Sequence, residues 1–431
     1  MAWQDKSSLC SGGVFFRGRL HPVPGELGHL AKQGVKLTLL DNGPDSWRGI
    51  VEHPDWGKAE IGSMKGLPLP PRIMIDWDMS LTDDEKQQLH AIGSAIVVKM
   101  DGKRGNVLKD RKVLLRFLNA LMGSNGVATV DAVANRFWSR EALAEELAHD
   151  ADLDVDHLMT LHWVAPDDDD PEHSRAWLHS HGLAEIGFVD FDVIAPGDDL
   201  RLTDDITRAI AFFIVEGGAK LGGNWALAEP GGHVRLVSAS RFVRKAPPEA
   251  IAIRQADEPH NRNRYVVCDP AKGVLGRWFG RVRPSRFLSD PPDECVFQFS
   301  TPASDLMAER AAKTYGRFRD ILAELAELGL PSLVKLGYVV DGGGGDEKEH
   351  LWFEVHEAKG ESVDATLINQ PFDIERLREG QRGWHDISLL SDWTIMTSIG
   401  NITPRNTRSL RMLRSHIDEF RQSKREAAET A

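Results

Sequence analysis

The stretch His350-Leu-Trp-Phe-Glu-Val-His356 alternates apolar and polar residues without a break. Side chains of a β-strand point to opposite faces with period two, so Leu351, Phe353 and Val355 share one face and Trp352, Glu354 and His356 the other. Such a strand belongs to an antiparallel sheet with one covered and one open face. The flanking runs agree. Leu333 to Val340 precedes it, followed by a polar loop holding Gly342 to Gly345; Val363 to Ile368 and a pair of strands around Trp384 to Met396 complete an antiparallel meander. A helix capped by Ser304 carries the stripe Leu306, Tyr315, Phe318, Leu322 and Leu325, and stops at Gly329-Leu-Pro331. A closing helix from about Asn406 sets Leu410, Leu413, Ile417 and Phe420 on one side. Residues 302–431 therefore read as a self-contained α+β module.

The chain's 431 residues exceed what one core accommodates. Upstream of the module, residues 1–95 form a Gly-, Pro- and Trp-rich segment with short strand-like runs at Val35 to Leu40 and Arg72 to Asp76. The prolines of Leu67-Pro-Leu-Pro-Pro-Arg72 lack ladder donors and mark an extended connection. Residues 96–300 read as a central α+β domain. A strand at Ala95 to Lys99 leads into it, and Val113, Leu114, Phe117, Leu118 and Leu121 trace a helical face within Asp110 to Met122. Ser139 begins another helix, residues 158–164 and 188–194 are strands, and Thr203 caps a helix ended by Gly217-Gly218. His233 to Val243 and Gly276 to Leu288 read as strands with arginines on one face. The expected class is a multidomain α+β protein of mostly antiparallel sheets with flanking helices. It has no Rossmann or P-loop unit, because Gly217-Gly-Ala-Lys-Leu-Gly-Gly223 lacks Gly-Lys-Ser/Thr and no dinucleotide fingerprint opens a βαβ unit.

Three cysteines without Cys-x-x-Cys spacing argue against a disulfide framework or cysteine zinc site and for a reducing compartment. No signal peptide is legible, and the longest apolar stretch, Ala209 to Val215, is far shorter than the roughly 20 residues of a membrane helix. A cytoplasmic protein without membrane contact is expected.

Charge is distributed unevenly. The chain's net charge is −13, and the window Asp150 to Asp199 alone holds fourteen acids against one base, Arg175. Such a field attracts a cation or a basic partner over a Debye length of about 8–10 Å. The same window contains a dense set of possible metal ligands. On a strand at Trp177 to His181, His179 and His181 share a face, as Asp190 and Asp192 do on the next. A hairpin through Gly182 to Gly187 would bring two imidazoles and two carboxylates together, the ligand set of a zinc or iron site, with Glu185 as a base on bound water. The same residues also suit a hydrogen-bonded structural cluster. The run Asp150-x-Asp-x-Asp-x-Asp156 is not an EF-hand, since Val155 and Leu161 stand where that loop needs Gly and an acid.

From Gly231 to Asp290 the sign reverses, with twelve bases against five acids. Arg277-Trp-Phe-Gly-Arg-Val-Arg283 interleaves bases and aromatics as single-strand binders do. Against this, an acidic chain is repelled by phosphate backbones, so a half-buried strand is expected and nucleic acid is not. No Gly-x-Ser-x-Gly elbow occurs, and His385-Asp386 has no identifiable nucleophile partner.

Residues 333–414 resemble the YegJ-like bacterial domains of unknown function. The resemblance is carried by Leu333-Val-Lys-Leu-Gly-Tyr, Glu349-His-Leu-Trp-Phe-Glu-Val355, Leu367-Ile-Asn-Gln-Pro371, Ile387 to Trp393 and Gly400-Asn-Ile-Thr-Pro-Arg405. Leu351 stands where that family usually has another apolar residue. The resemblance implies a small α+β module, often fused to other domains of unknown function, and brings no established activity. Glu349, His350, Trp352 and Glu354, with Asn369, Asp392, Trp393 and Arg405, are the candidate binding surface, because exposed tryptophan beside acids anchors protein interfaces; Trp352 and Trp393 equally suit packing beneath the C-terminal helix.

These features point to a macromolecule-binding protein of immunity, defence or stress type, whose acidic surface meets another protein, a basic one. The alternative is a metal-dependent hydrolase using His179, His181, Asp190, Asp192 and Glu185. No cofactor is expected beyond the divalent metal of that alternative, and the sequence leaves the oligomeric state open.

Overall fold

The computed structural model describes residues 9–17, 24–66, 69–76, 78, 81–102, 106–164, 175–196, 200–216, 222–229, 231–253, 264–288, 296–297, 301–342, 347–397 and 400–430. The chain divides into two compact units, Met1–Leu143 with Leu153–Phe299, and Ala144–Asp152 with Ser300–Ala431. The architecture is α+β, with three sheets whose described strands pair antiparallel except at one place. No described helix is long and apolar enough to cross a membrane.

The first sheet joins β1 (Leu9–Arg17), β2 (Lys36–Asn42), β3 (Ser46–His53), β4 (Gly57–Met64), β5 (Ile92–Asp101), β6 (Gly126–Asp131) and β7 (Arg136–Ser139) in the order β2-β3-β4-β5-β1-β6-β7. The boundary expected at residue 95 runs through β5, which pairs with both β1 and β4. Helices α1 (Arg72–Asp76), α2 (Asp83–His90), α3 (Val107–Met122) and α4 (Arg140–Leu147) accompany this sheet in sequence. Arg72 to Asp76 is helical where a strand was expected. Five residues are too few to show a period, and Pro71 opens the turn, its carbonyl accepting from Met74 N at 3.0 Å. Helix α2 opens on a capping box formed by Thr82 and Glu85. In α3 the expected apolar face is buried, and Asn106 caps it by accepting from Leu108 N and Lys109 N.

The second sheet contains β8 (Thr160–Val164), β9 (Arg175–His181), β10 (Asp190–Pro196), β11 (Asn224–Glu229), β12 (Gly232–Ser238), β13 (Arg264–Cys268) and β14 (Val296–Phe297), ordered β14-β11-β12-β13-β10-β9-β8. Here β10 and β13 form the parallel pair. Helix α5 (Leu200–Val215) begins before Thr203, which sits inside it and not at its cap; Gly217-Gly218 lies outside the described residues. Of the two arginine stretches expected as strands, the first is a strand over its first half only and the second holds no strand. Strand β12 ends at Ser238 and gives way to α6 (Ala239–Lys245) and α7 (Pro248–Ile253); Gly276 to Leu288 begins within α8 (Gly273–Phe279) and continues without a strand. Spacings of three and four between basic residues also suit a helix face, and Phe242 buries between Arg241 and Arg244.

The second unit contains β15 (Ser332–Val339), β16 (Lys348–Lys359), β17 (Ser362–Leu367), β18 (Arg382–Asp386), β19 (Leu390–Thr397) and β20 (Gly400–Ile402), ordered β18-β17-β16-β15-β19-β20. Helices α9 (Thr301–Arg319), α10 (Leu322–Glu327) and α11 (Ser409–Thr430) complete it. Ser304 lies in the first turn of α9 and does not precede it. On β16, Leu351 and Phe353 are buried, whereas Glu354 and His356 are exposed, as alternation requires. The strands expected to pair around Trp384 to Met396 do not pair with each other: β18 adds to β17, while β19 returns to the far side of β15. Leu351 and Phe353 pack with Phe318, Val334, Trp393, Leu410 and Ile417. Residues 144–152 contribute Glu146, whose two carboxylate oxygens accept from Arg310 at 3.1 Å each. Arg310, fully buried, also donates to the Asp152 carbonyl at 2.7 Å.

Candidate metal centre

Strand β9 is the middle of the β8-β9-β10 ribbon, so its side chains have neighbours on both sides. His179 faces Asp192 across β10 and His162 across β8. Because side chains alternate, His181 lies on the same face as His179. Three imidazoles therefore converge, with ring centroids of His162 at 5.2 Å from His179 and 4.6 Å from His181, and those of His179 and His181 4.9 Å apart. One ligand nitrogen from each lies within 4.8 Å of the others. Trp177, itself buried, backs His179 with its ring centroid 4.2 Å away. His179 is buried while His162 and His181 are half-buried, which leaves the centre approachable from their side.

The hairpin after β9 fixes these rings. Gly182 has φ +121°, and a Cβ there would come 2.5 Å from the Leu158 carbonyl oxygen, so only glycine lets the hairpin sit against the start of β8. Asp190 closes the same hairpin, its Oδ1 accepting from Ser180 Oγ at 2.9 Å and from Leu183 N at 3.2 Å. Burial pushes its carboxyl up to about 6, against the pull of the Ser180 hydroxyl and Arg264. Asp192 is fully buried and its Oδ1 accepts from Arg264 at 2.9 Å. Arg264 Nη2 in turn lies 3.4 Å from His181 Nδ1. Asp192 thereby neutralises a guanidinium whose charge would oppose a cation beside the imidazoles.

Of the ligand set expected from the sequence, only the two histidines belong to this group. His179 and His181 come together, but the carboxylates of Asp190 and Asp192 are engaged by the hairpin and by Arg264, and Glu185 is exposed in the turn. The third histidine, His162, lies in a segment whose sequence predicts a strand and marks no ligand. Its signal was parity: once β8 pairs with β9, His162 falls opposite His179. Tetrahedral zinc with Zn–N of 2.0–2.1 Å places ligand nitrogens about 3.4 Å apart. The ligand nitrogens here lie within 4.8 Å of one another, so a tetrahedral ion would fit only if the half-buried rings of His162 and His181 turned inward.

The acidic window proves partly structural. Asp154 is buried against Arg208, with Oδ2 accepting at 2.6 Å, and it accepts from Asp156 N at the start of a short helical turn. The Asp192–Arg264 pair joins the acidic block to the basic one. Asp167 to Asp170 lie outside the described residues.

The candidate surface in the second unit is spread over two strands and two loops. Lys335 on β15 pairs with Trp352 on β16 and with Asp392 on β19, and its ammonium lies 5.4 Å from the centroid of the Trp352 ring. Glu349 holds a loop, accepting from Phe372 N at 2.8 Å and Asp373 N at 3.0 Å, and Asn369 accepts from Trp352 N at 2.8 Å. His350 Nδ1 meets Ser391 Oγ at 2.8 Å, and Glu354 is exposed. Trp393 takes the opposite face: it is fully buried, and its Nε1 donates to Thr314 Oγ1 at 3.0 Å. Arg405 sits in the turn before α11, where its backbone N donates to Thr403 Oγ1 at 3.3 Å. These residues bind one another and the backbone; they do not converge on one point.

Residues 304–424 match the family described as an uncharacterized protein conserved in bacteria (DUF2314), which places a bacterial domain of unknown function in the second unit. The match carries that description and not the YegJ label, and it leaves the histidine centre unassigned. No curated protein and no solved structure matches the chain.

Proposed function

We propose that the first unit is a metal-dependent hydrolase whose ion is bound by His162, His179 and His181. The observation that carries this reading is the approach of three imidazole nitrogens to within 4.8 Å of one another on adjacent strands. Three neutral histidines leave a tetrahedral ion one open position, and water there loses its proton near pH 7, which is the chemistry of hydrolysis. Trp177 behind His179 keeps solvent from one side, and Asp192 holds the guanidinium of Arg264 beside His181. Loading the ion through either nitrogen of His181 requires Arg264 to yield its 3.4 Å contact while staying on Asp192. A basic protein partner fits the window's charge, but Asp154, Asp190 and Asp192 serve internal pairs, so the metal reading has more geometric support.

Elemental analysis of protein purified without an affinity tag tests it, together with calorimetric titration of zinc. One equivalent of zinc, iron or manganese is expected. His162→Ala should weaken zinc binding by more than about 100-fold, since losing even an outer-shell partner costs 10–100-fold; Asp190→Asn should retain the ion. Hydrolysis of a nitrophenyl ester or phosphate should vanish with the metal. Absence of any bound metal, or full binding by His162→Ala, sinks the reading.

A further inference from the structure

We infer that α8 and the β12–α6 junction form a binding surface for single-stranded nucleic acid, with arginines holding phosphates and Trp278 stacking on a base. This does not depend on the metal centre. The first observation is Arg235, 3% exposed on β12 opposite Cys268. Burial pushes the Cys268 thiol up, so it supplies no counter-charge. Among the described residues the buried Nε of Arg235 meets no acceptor, and neither does the buried Nε of Arg241. Asp269, the next residue after Cys268, is already engaged, accepting from Arg286 Nε at 3.1 Å and from its backbone N at 2.8 Å. Burial, then Arg241 and Arg277, lower the pKa of Arg235, as expected where guanidinium groups crowd together. Crowded guanidinium groups with unmet donors are the electrostatic signature of an anion site.

The second observation is the surface beside them. Arg241 donates to the carbonyls of Arg277 and Trp278, which ties α6 to α8. Trp278 is 69% and Leu275 75% exposed, and Arg244, Lys245, Lys272, Arg277 and Arg281 are exposed too. The half-buried strand expected from the sequence would have hidden this tryptophan; the helix displays it. An exposed indole amid guanidinium groups offers what an unstacked base and its phosphates need. A duplex conceals its base faces, so a single strand fits better. The chain's net −13 does not forbid this, because charges beyond about 8–10 Å are screened at physiological salt.

The test is fluorescence anisotropy of a labelled oligothymidylate with the full chain at 50 and 200 mM salt. With three phosphates neutralised, affinity should fall about 20-fold over that range, from a slope of roughly −0.7 per phosphate. Trp278→Ala should cost about 10-fold at both salts with the slope unchanged. Arg277→Gln should flatten the slope by about 0.7. The inference is overturned if no binding appears at 50 mM salt or if Trp278→Ala binds as tightly as wild type. Retention on anionic phospholipid vesicles without oligonucleotide binding would equally overturn it.

Discussion

Strands β9 and β16 both carry histidines at even spacing beside a tryptophan, and meet opposite fates. On β16 three polar side chains find neutral partners nearby: His350 meets the Ser391 hydroxyl, His356 Nε2 lies 2.8 Å from Thr366 Oγ1, and Glu349 takes two backbone N–H groups. On β9 the neighbouring strand presents another histidine, so His179 and His181 face His162. A strand's own alternation decides which face a side chain occupies. Its neighbour's register decides what that side chain can do.

That difference is sharpest where charge enters the face turned to the core. Phe353→Asp should cost more than about 4 kcal/mol, since it removes a large buried ring and leaves an unpaired carboxylate. Glu354→Ala, one residue along on the open face, should stay within about 0.5 kcal/mol. Hydrogen exchange of β16 peptides in the full chain reads both; equal protection in the two variants would refute the facing of this strand. Next in size is Glu146→Ala, which leaves Arg310 buried without its carboxylate. Breaking such a pair from one side costs about 3–5 kcal/mol. The same exchange measurement should show the second unit weakened, and unchanged protection would mean that Arg310 finds another acceptor. It follows that a fragment starting at residue 302 lacks a partner that this unit uses.

Much of the second unit was legible because its strands have one covered face, where alternation is a strong signal: Leu351 and Phe353 were placed correctly from sequence. What was missed were relations between distant segments. Nothing in Glu146 announces a bond to Arg310, 164 residues away. Nor does the pattern around Trp384 to Met396 say that its strands sit at different places in one sheet. In the first unit, short segments failed differently. Arginines four apart, such as Arg277 and Arg281, fit a strand's face or a helix's, and spacing alone does not choose between them. The candidate site was half legible, since parity gave His179 and His181, whereas His162 and the capture of Asp192 by Arg264 depend on pairing.

The smallest expected effect separates the two histidine regions by acid. In the second unit, His385 packs its ring 4.5 Å from that of Phe353, with Nδ1 2.6 Å from the Tyr338 hydroxyl. Burial lowers its pKa below the ordinary histidine value, partly opposed by the Ala365 backbone and Asp364. His350 is lowered too, by desolvation first and then by Lys335 and Lys348. A folded-state pKa below the unfolded one means the unfolded chain binds the proton more readily. Stability from these groups is therefore complete above about pH 6.5 and falls as pH drops below it. Asp364, held low chiefly by its hydrogen bond from Arg382, is lost only at more acid pH, below the ordinary carboxylate range. Acid also strips an ion from the proposed centre, because histidine ligands must be neutral. Chelator tells the two apart. With EDTA present, β16 protection should still decline between pH 7 and 5, and His385→Gln should flatten that decline without altering zinc stoichiometry. A decline abolished by EDTA, or untouched by His385→Gln, would show that acid acts on this unit through something other than its buried imidazole.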